Sequence, residues 1–413
     1  MNVLLVIEPG IDGVFRYVEA LAHFLVARDV RVHLAYSDRR GSDALARLVD
    51  FVRAHRGATL NLRVANRPEP RTDWRALRAL RTLVAEIQPD LIHSHSSKAG
   101  VLARLLPFCG LRVPHVYNPH AYAGMRPQSR GLRFFYDAIE AGLGRFGVTL
   151  TCSEDELDYA RRRLRLPATR ALYVPNGVDT RLFTPPAAAE KLALREAFGL
   201  PPHACILGTV GRTAPQKDPL TLYHAFARAH AIEPGLVLFH LGTGELDGEL
   251  HRFVQARRLQ GVIVRRAYLD RTADFYRAID GFILPSLYEG LALSALEALS
   301  CNLPVILSDA PGNRTLLKLR FNQMQSAPAG DVLAFSRAIV GWARACRSAT
   351  TPNHRLLILE GFDQSVCFAR VLDLYRLLLA RAPAGAPRRA APWTPAAGGL
   401  APARVPRRFR PEP

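Results

Sequence analysis

The sequence predicts an α/β protein made of two domains, each a parallel sheet with helices on both faces. Three observations predict it. Apolar strand-like runs alternate with amphipathic helical runs from the first residues onward, the rhythm of β-α-β units. That rhythm pauses once, over 179–203, where four prolines fall, and restarts at Cys205. The 413 residues, 49% hydrophobic, are enough for two domains with a core in each.

The elements follow in order. Residues 2–7 (NVLLVI) read as a buried strand. Residues 14–28 have helical spacing, with Val14, Val18, Leu21 and Leu25 on one face. Strands are predicted at 30–36, 90–93, 114–117, 148–152 and 171–174, then at 205–211, 236–241, 262–264, 281–284 and 304–307. A helix is predicted from Leu291 to Ser300, with Asn302 as a left-handed stop and Pro304 just beyond. The organisation expected is a first domain over 1–180, a hinge over 181–203, a second domain over 204–363 and a helix over 364–380. The tail over 381–413, rich in Pro, Ala and Arg, has no periodicity and is expected to be disordered.

Composition narrows the partners. The net charge is +19, and only four of the 55 basic residues are lysine. Such an excess favours an anionic partner. No nucleic-acid-binding motif accompanies it, so lipid and phosphates rank above nucleic acid. No apolar run approaches the roughly 18 residues of a membrane span, and the first residues, MNVLLVIEPG, lack the pattern of a signal peptide. The expectation is a cytoplasmic protein. Six cysteines (109, 152, 205, 301, 346, 367) include no C-x-x-C pair, which argues against a zinc site or a disulfide framework.

The segment Pro285 to Ile306, PSLYEGLALSALEALSCNLPVI, holds two glutamates in an apolar run, Glu289 and Glu297. Taken singly, Glu289 reads as a solvated loop residue and Glu297 as the partner of an arginine. Their place suggests more. Ligands of open α/β sheets bind at the carboxyl ends of the strands, and Glu289 sits at that edge. The helix start beside it offers N–H groups at Gly290, Leu291 and Ala292, which suit a phosphate. Glu297, two helical turns in, can accept two hydrogen bonds from a vicinal diol such as a ribose.

The pattern P-S-x-x-E-G-x-x-x-x-x-L-E-A-L-S-C-x-L-P-V-I resembles the signature of retaining glycosyltransferases of family 4, which have the GT-B fold of two Rossmann-like domains facing a central cleft. Their E-x7-E motif matches Glu289 and Glu297, and the resemblance places the first at the donor sugar's hydroxyls and the second at the ribose. GTVGRTAPQKD at 208–218 resembles the family's G-R-x-x-x-x-K segment, which implies that Arg212 and Lys217 clamp the donor's diphosphate. LGTGEL at 241–246 matches its G-x-G turn. PGIDGV at 9–14 resembles its glycine loop, with Gly13 letting backbone approach a phosphate or the acceptor. HSHSSKAG at 93–100 and VYNPHAY at 116–122 resemble two further segments, and His120 would be the histidine beside the donor sugar. Asn176-Gly177-Val178-Asp179 with Phe183 matches the segment that closes the first domain. There are departures: Ala121, Asn302 and Ala267 stand where glycine is usual, Ala292 where Pro or Gly is common, and Thr315 where a glutamate is frequent.

The reaction implied is transfer of a sugar from a nucleoside-diphosphate-sugar to an acceptor hydroxyl with retention of configuration. The sequence contains no D-x-D, and the family needs no metal; none is expected, nor any other cofactor. The segment 126–146 sets Arg126, Arg130 and Arg133 beside Phe134 and Phe135, a composition that suits a membrane interface and equally an amphipathic core helix. With the charge excess, the expected acceptor is a lipid-linked saccharide or lipopolysaccharide at the anionic inner face of the cytoplasmic membrane, as in bacterial lipopolysaccharide and O-antigen synthesis. Two alternatives are a GT-B-fold UDP-sugar epimerase, for which the acidic residues are not found, and a silent scaffold that binds nucleotide or membrane.

Overall fold

Every run read as a strand forms one in the computed structural model, which describes residues 1–269, 271–319, 323–346 and 353–380. The first sheet holds β1 (Asn2–Ile7), β2 (Arg31–Tyr36), β3 (Thr59–Asn61), β4 (Leu91–His95), β5 (His115–Asn118), β6 (Val148–Thr151) and β7 (Ala171–Tyr173). The second holds β8 (Cys205–Val210), β9 (Leu236–Leu241), β10 (Ile263–Arg266), β11 (Gly281–Leu284), β12 (Val305–Asp309) and β13 (Met324–Pro328). The orders are β3-β2-β1-β4-β5-β6-β7 and β10-β9-β8-β11-β12-β13, with every neighbour parallel. In each order the direction of winding reverses once, between β1 and β4 and between β8 and β11. Those are the switch points where ligands of such sheets collect.

β1 shows why the strands are apolar throughout rather than alternating. Val3, Leu5 and Ile7 enter one core with Val18, Leu21 and Leu25, while Leu4 and Val6 enter another with Leu80 and Leu102. Both faces of a parallel sheet are covered, so both sets of side chains must be apolar. The helix predicted over 14–28 runs Asp12–Val26. Two strands escaped the sequence reading, β3 (TLN) and β13 (MQSAP). Both lie at sheet edges, where a strand has one neighbour and needs no long apolar run.

The chain divides into two units, Met1–Asn176 with the described residues from Ser365 on, and Gly177–Gln364. The segment 181–203, expected as a hinge, contains the helix Ala188–Phe198 and belongs to the second unit. The helix Gln364–Ala380 counts with the first, because its Phe368, Leu372 and Tyr375 enter the core of β1. In the second unit, Val178 donates its N–H to Phe362 O and accepts from Gln364 N–H, so the two passages of chain at its border are hydrogen-bonded side by side. The tail from 381 lies outside the described residues. No described helix is long and apolar enough to cross a membrane.

Candidate active site

In the second unit the site is built on the switch point. β8 runs into Gly211–Asp218 and β11 into Pro285–Ala292, so their carboxyl-end loops are neighbours. They are laced together: Leu287 N–H donates to Gln216 O (2.8 Å) and the Gln216 amide to Tyr288 O (3.1 Å). Between them Lys217 Nζ lies 2.6 Å from Glu289 Oε1, with Glu289 only 6% exposed. A buried carboxylate needs such a partner. Lys217 ends a short turn, Pro215–Lys217, and Asp218 caps the next helix, accepting from Thr221 N–H; this holds the lysine at the strand end. Arg212 is exposed on the same loop. A hollow beside it is lined by Gly211, Arg212, Lys217, His240 and Pro285.

Two glycines make this crowding feasible. A Cβ on Gly242 would lie 2.0 Å from Gly211 O, and one on Gly312 2.4 Å from Glu289 O; both residues have positive φ. The G-x-G turn is therefore a backbone wedge against the Arg212 loop, and Gly312 is the floor under Glu289. Glu289 N–H donates to Pro311 O (2.9 Å), tying the third loop, after β12, to the same point.

The helix after Glu289 begins later than the sequence suggests. It runs Leu293–Ser300 with Ala292 as its cap residue. The residues that open its first turn are Leu293 and Ser294, and Gly290, Leu291 and Ala292 form the approach to it. Glu297 accordingly stands little more than one turn in, not two. It is 2% exposed and accepts from the Tyr276 hydroxyl at 2.6 Å. The helix stops as predicted, with Asn302 at φ 59°. The carboxamide there does more than a glycine could, since its Oδ1 accepts from His354 N–H (2.8 Å).

The first unit has its own cluster at the carboxyl ends of β4 and β5. His120 follows β5 with φ 52°, and Ala121 follows it with φ 91°. An alanine there is strained, which is why glycine is usual at this position. Ala121 N–H donates to Glu156, which also takes Cys152 N–H (2.8 Å). The wholly buried Glu156 thus pins the turn that presents His120. His95, the last residue of β4, shares a hydrogen bond between its Nδ1 and His120 Nε2 at 3.2 Å. Tyr17 packs edge-on to His120, with ring centres 4.9 Å apart. Burial lowers the pKa of His120 to about 3 and those of His93 and His95 well below the usual value, so all three rings are neutral at pH 7. Gly13 lies inside the first turn of Asp12–Val26 without positive φ; the left-handed residue of that loop is Asp12, at φ 66°.

The helix Arg130–Leu143 inverts ordinary amphipathicity. Its buried residues are Asp137 and Glu140. Glu140 takes Arg104 (2.8 Å) and the Tyr117 hydroxyl (3.0 Å), and Asp137 takes Arg163 (2.8 Å) and Tyr159. Three of its apolar residues face out, Phe134 at 71% exposed, Phe135 at 53% and Leu132 at 44%, while Tyr136, Ile139 and Leu143 are half-buried. Arg126 and Arg130 are exposed and Arg133 is half-buried.

His95, Glu156 and Tyr276 were not singled out from the sequence. His95 lies in a quoted segment, and Ser153-x-x-Glu156 has the spacing of a helix capping box, with Ser153 accepting from Glu156 N–H. For Tyr276 the sequence holds no signal, since only the fold brings it to Glu297.

Comparison with known proteins decides the family. Residues 11–182 match the model of Glycosyltransferase Family 4, and residues 204–344 that of Glycosyl transferases group 1. A putative glycosyltransferase of Bacillus subtilis, EpsF, is 30% identical over 322 residues, covering 73% of this chain and 78% of the relative. The chain belongs to the family-4 glycosyltransferases. An Escherichia coli member, UDP-Gal:alpha-D-GlcNAc-diphosphoundecaprenol alpha-1,3-galactosyltransferase, is 29% identical over 311 residues, covering 73% of this chain and 79% of its own. Anabaena Alr3699/HepE, solved with UDP-glucose, superposes with a TM-score of 0.75 at 19% identity over 91% of this chain and all of that one. WaaG, a glycosyltransferase of lipopolysaccharide biosynthesis, does so at 0.67 and 13%, covering 91% and 99%. The fold is GT-B, and the activity is glycosyl transfer.

Proposed function

We propose that this family-4 glycosyltransferase moves a hexose from a UDP-sugar to a hydroxyl of a lipid-linked saccharide, with retention of configuration and no resident metal. The observation that carries the reading is the Lys217–Glu289 pair at the β8/β11 switch point. A sugar diphosphate there meets a cation for its phosphates and a carboxylate for its hydroxyls side by side. The UDP and UDP-glucose complexes of the Anabaena protein favour uridine, and the diphosphoundecaprenol in the E. coli relative's name favours a polyprenyl-linked acceptor.

In this reading Arg212 and Lys217 neutralise the diphosphate as it departs, where charge develops most. Leu293 and Ser294 add the positive end of their helix. Glu289 aligns the sugar, and Glu297, steadied by Tyr276, receives the ribose diol. His120, neutral in its own unit, can offer a hydrogen bond but no charge. The C1–O bond to the diphosphate breaks while the acceptor oxygen bonds C1 from the same face, and the acceptor's proton passes to the departing phosphate oxygen. The cationic loop does the work that a metal does in other transferases. The outward Phe134, Phe135 and Leu132, flanked by Arg126 and Arg130, fit an anionic bilayer that carries the acceptor.

The test is product analysis with UDP-hexoses and an undecaprenyl-diphosphate saccharide in excess chelator. Transfer should continue, and NMR should show the donor's anomeric configuration in the product. An inverted product, a free epimerised UDP-sugar, or activity that returns only with Mg²⁺ would overturn the proposal.

A further inference from the structure

The spacing of the cysteines suggests no pairing, yet the fold brings two together. Cys205 opens β8, and Cys346 ends the helix Val332–Cys346. Their Sγ atoms and a carboxylate oxygen of Asp280 all lie within 4.8 Å of one another, and all three residues are half-buried. The cluster stands at the amino edge of the second sheet. Lys217 and Glu289 stand at the carboxyl edge, so sugar transfer makes no use of these thiols.

The surroundings decide what the cluster suits. Asp280 is already committed: Oδ1 to Lys191 Nζ (2.6 Å), Oδ2 to the Arg195 guanidinium (2.6 Å) and to Ile206 N–H (2.8 Å). A metal ion would find two sulfurs and a carboxylate held by two cations and an amide, a poor third ligand. Two thiols in contact need no third ligand to react with each other. Lys191 and Arg195, both carried by the helix Ala188–Phe198, set positive charge beside the sulfurs, and this favours the thiolate. The pKa of Cys346 is lowered, first by a hydrogen bond with Cys205 and further by Lys191 and Arg195, against burial and Asp280. Cys301 shows the contrast: buried, it is pushed up to about 12.

We propose that Cys205 and Cys346 form a redox-active dithiol that closes to a disulfide by exchange with a low-molecular-weight disulfide. The Cys346 thiolate attacks one sulfur of the small disulfide, which releases one thiolate and leaves a mixed disulfide on Cys346. Cys205 then gives up its proton, and its sulfur attacks Cys346 Sγ and expels the second small thiolate. The protein loses two hydrogens and the small disulfide is reduced to two thiols, so electrons and protons balance. The bridge would tie the first residue of β8 to the end of the helix whose Phe335, Ile339 and Trp342 pack on this sheet. Such pairs act as sensors where the surroundings are reducing.

The experiment treats the full chain with oxidised glutathione, alkylates the remaining thiols and maps peptides by mass spectrometry. The expected result is a peptide linked through Cys205 and Cys346, with two hydrogens lost and both restored by dithiothreitol. In Cys205→Ser the reaction should stop at glutathione held on Cys346. The proposal is overturned if wild-type protein keeps glutathione on Cys346 without linkage. It is also overturned if Cys346 reacts no faster than the half-buried Cys109, or if the chain retains stoichiometric zinc that blocks both thiols.

Discussion

Lys217 and Glu289 lie 2.6 Å apart, and this changes what a single substitution reports. Lys217→Ala removes a diphosphate cation and also strands a carboxylate that is 6% exposed. Loss of one such stabilising group lowers kcat by about 10² to 10³, and here stability should fall as well. Adding Glu289→Gln should recover much of the stability, because a neutral amide needs no cation, but none of the rate. Arg212→Ala, at an exposed position, should show the rate loss with little change in urea unfolding. A second prediction concerns pH. His120 titrates at 6.5 when unfolded and at about 3 when folded, since burial penalises its charged form. The unfolded chain therefore binds the proton first, and stability present above 6.5 is lost as pH falls toward 3. The unfolding midpoint should drop through that window, and less steeply in His120→Gln. The sequence could name Glu289, Lys217 and His120 because their motifs are contiguous. It could not name Tyr276 or Glu156, whose neighbours arrive only through folding, nor see that Lys217 of the clamp pairs with Glu289.

The helix Arg130–Leu143 shows how far element-level reading reaches. Its sequence marks a helix, with Ser129 accepting from Leu132 N–H at its cap, but periodicity alone makes the apolar face the buried one. The structure reverses this because Arg104, Tyr117, Tyr159 and Arg163 offer Asp137 and Glu140 charge-assisted partners inside the fold. Among the described residues neither outward phenylalanine belongs to a core cluster, so Phe134→Ser with Phe135→Ser should leave the melting temperature unchanged while reducing sedimentation with anionic vesicles. Replacing Arg126, Arg130 and Arg133 with Ser should do the same, each losing about 1 kcal/mol of attraction to the surface, and high salt should mimic it. The basic tail is the rival, so the same assay belongs on a chain stopped at Ala380. Binding lost with the tail and kept with the five helix-region residues replaced would move the docking surface away from this helix. Strand positions were legible because buried parallel strands are apolar on both faces; the edge strands β3 and β13 and the late start of Leu293–Ser300 were not, because nothing in a short polar run or a cap-less loop marks them.

At the scale of the molecule, the alternation of strands and helices gave the two sheets, and the segment 285–306 gave the family. The border between the units was less legible, since the proline-rich pause at 179–203 folds into the second unit around the helix Ala188–Phe198. The central claim is that the β8 and β11 loops form the nucleotide-sugar site, with Glu297 at the ribose and Glu289 at the transferred sugar. UDP has the ribose and the diphosphate but no sugar, so its binding separates the roles. Calorimetry with UDP on the wild type, Lys217→Met, Glu289→Gln and Glu297→Gln tests this most directly. The account predicts weakened binding in Lys217→Met and Glu297→Gln. In Glu289→Gln it predicts unchanged or tighter binding, because the lysine no longer shares its charge with a carboxylate. UDP bound equally well without Lys217 and without Glu297, or lost only in Glu289→Gln, would contradict it.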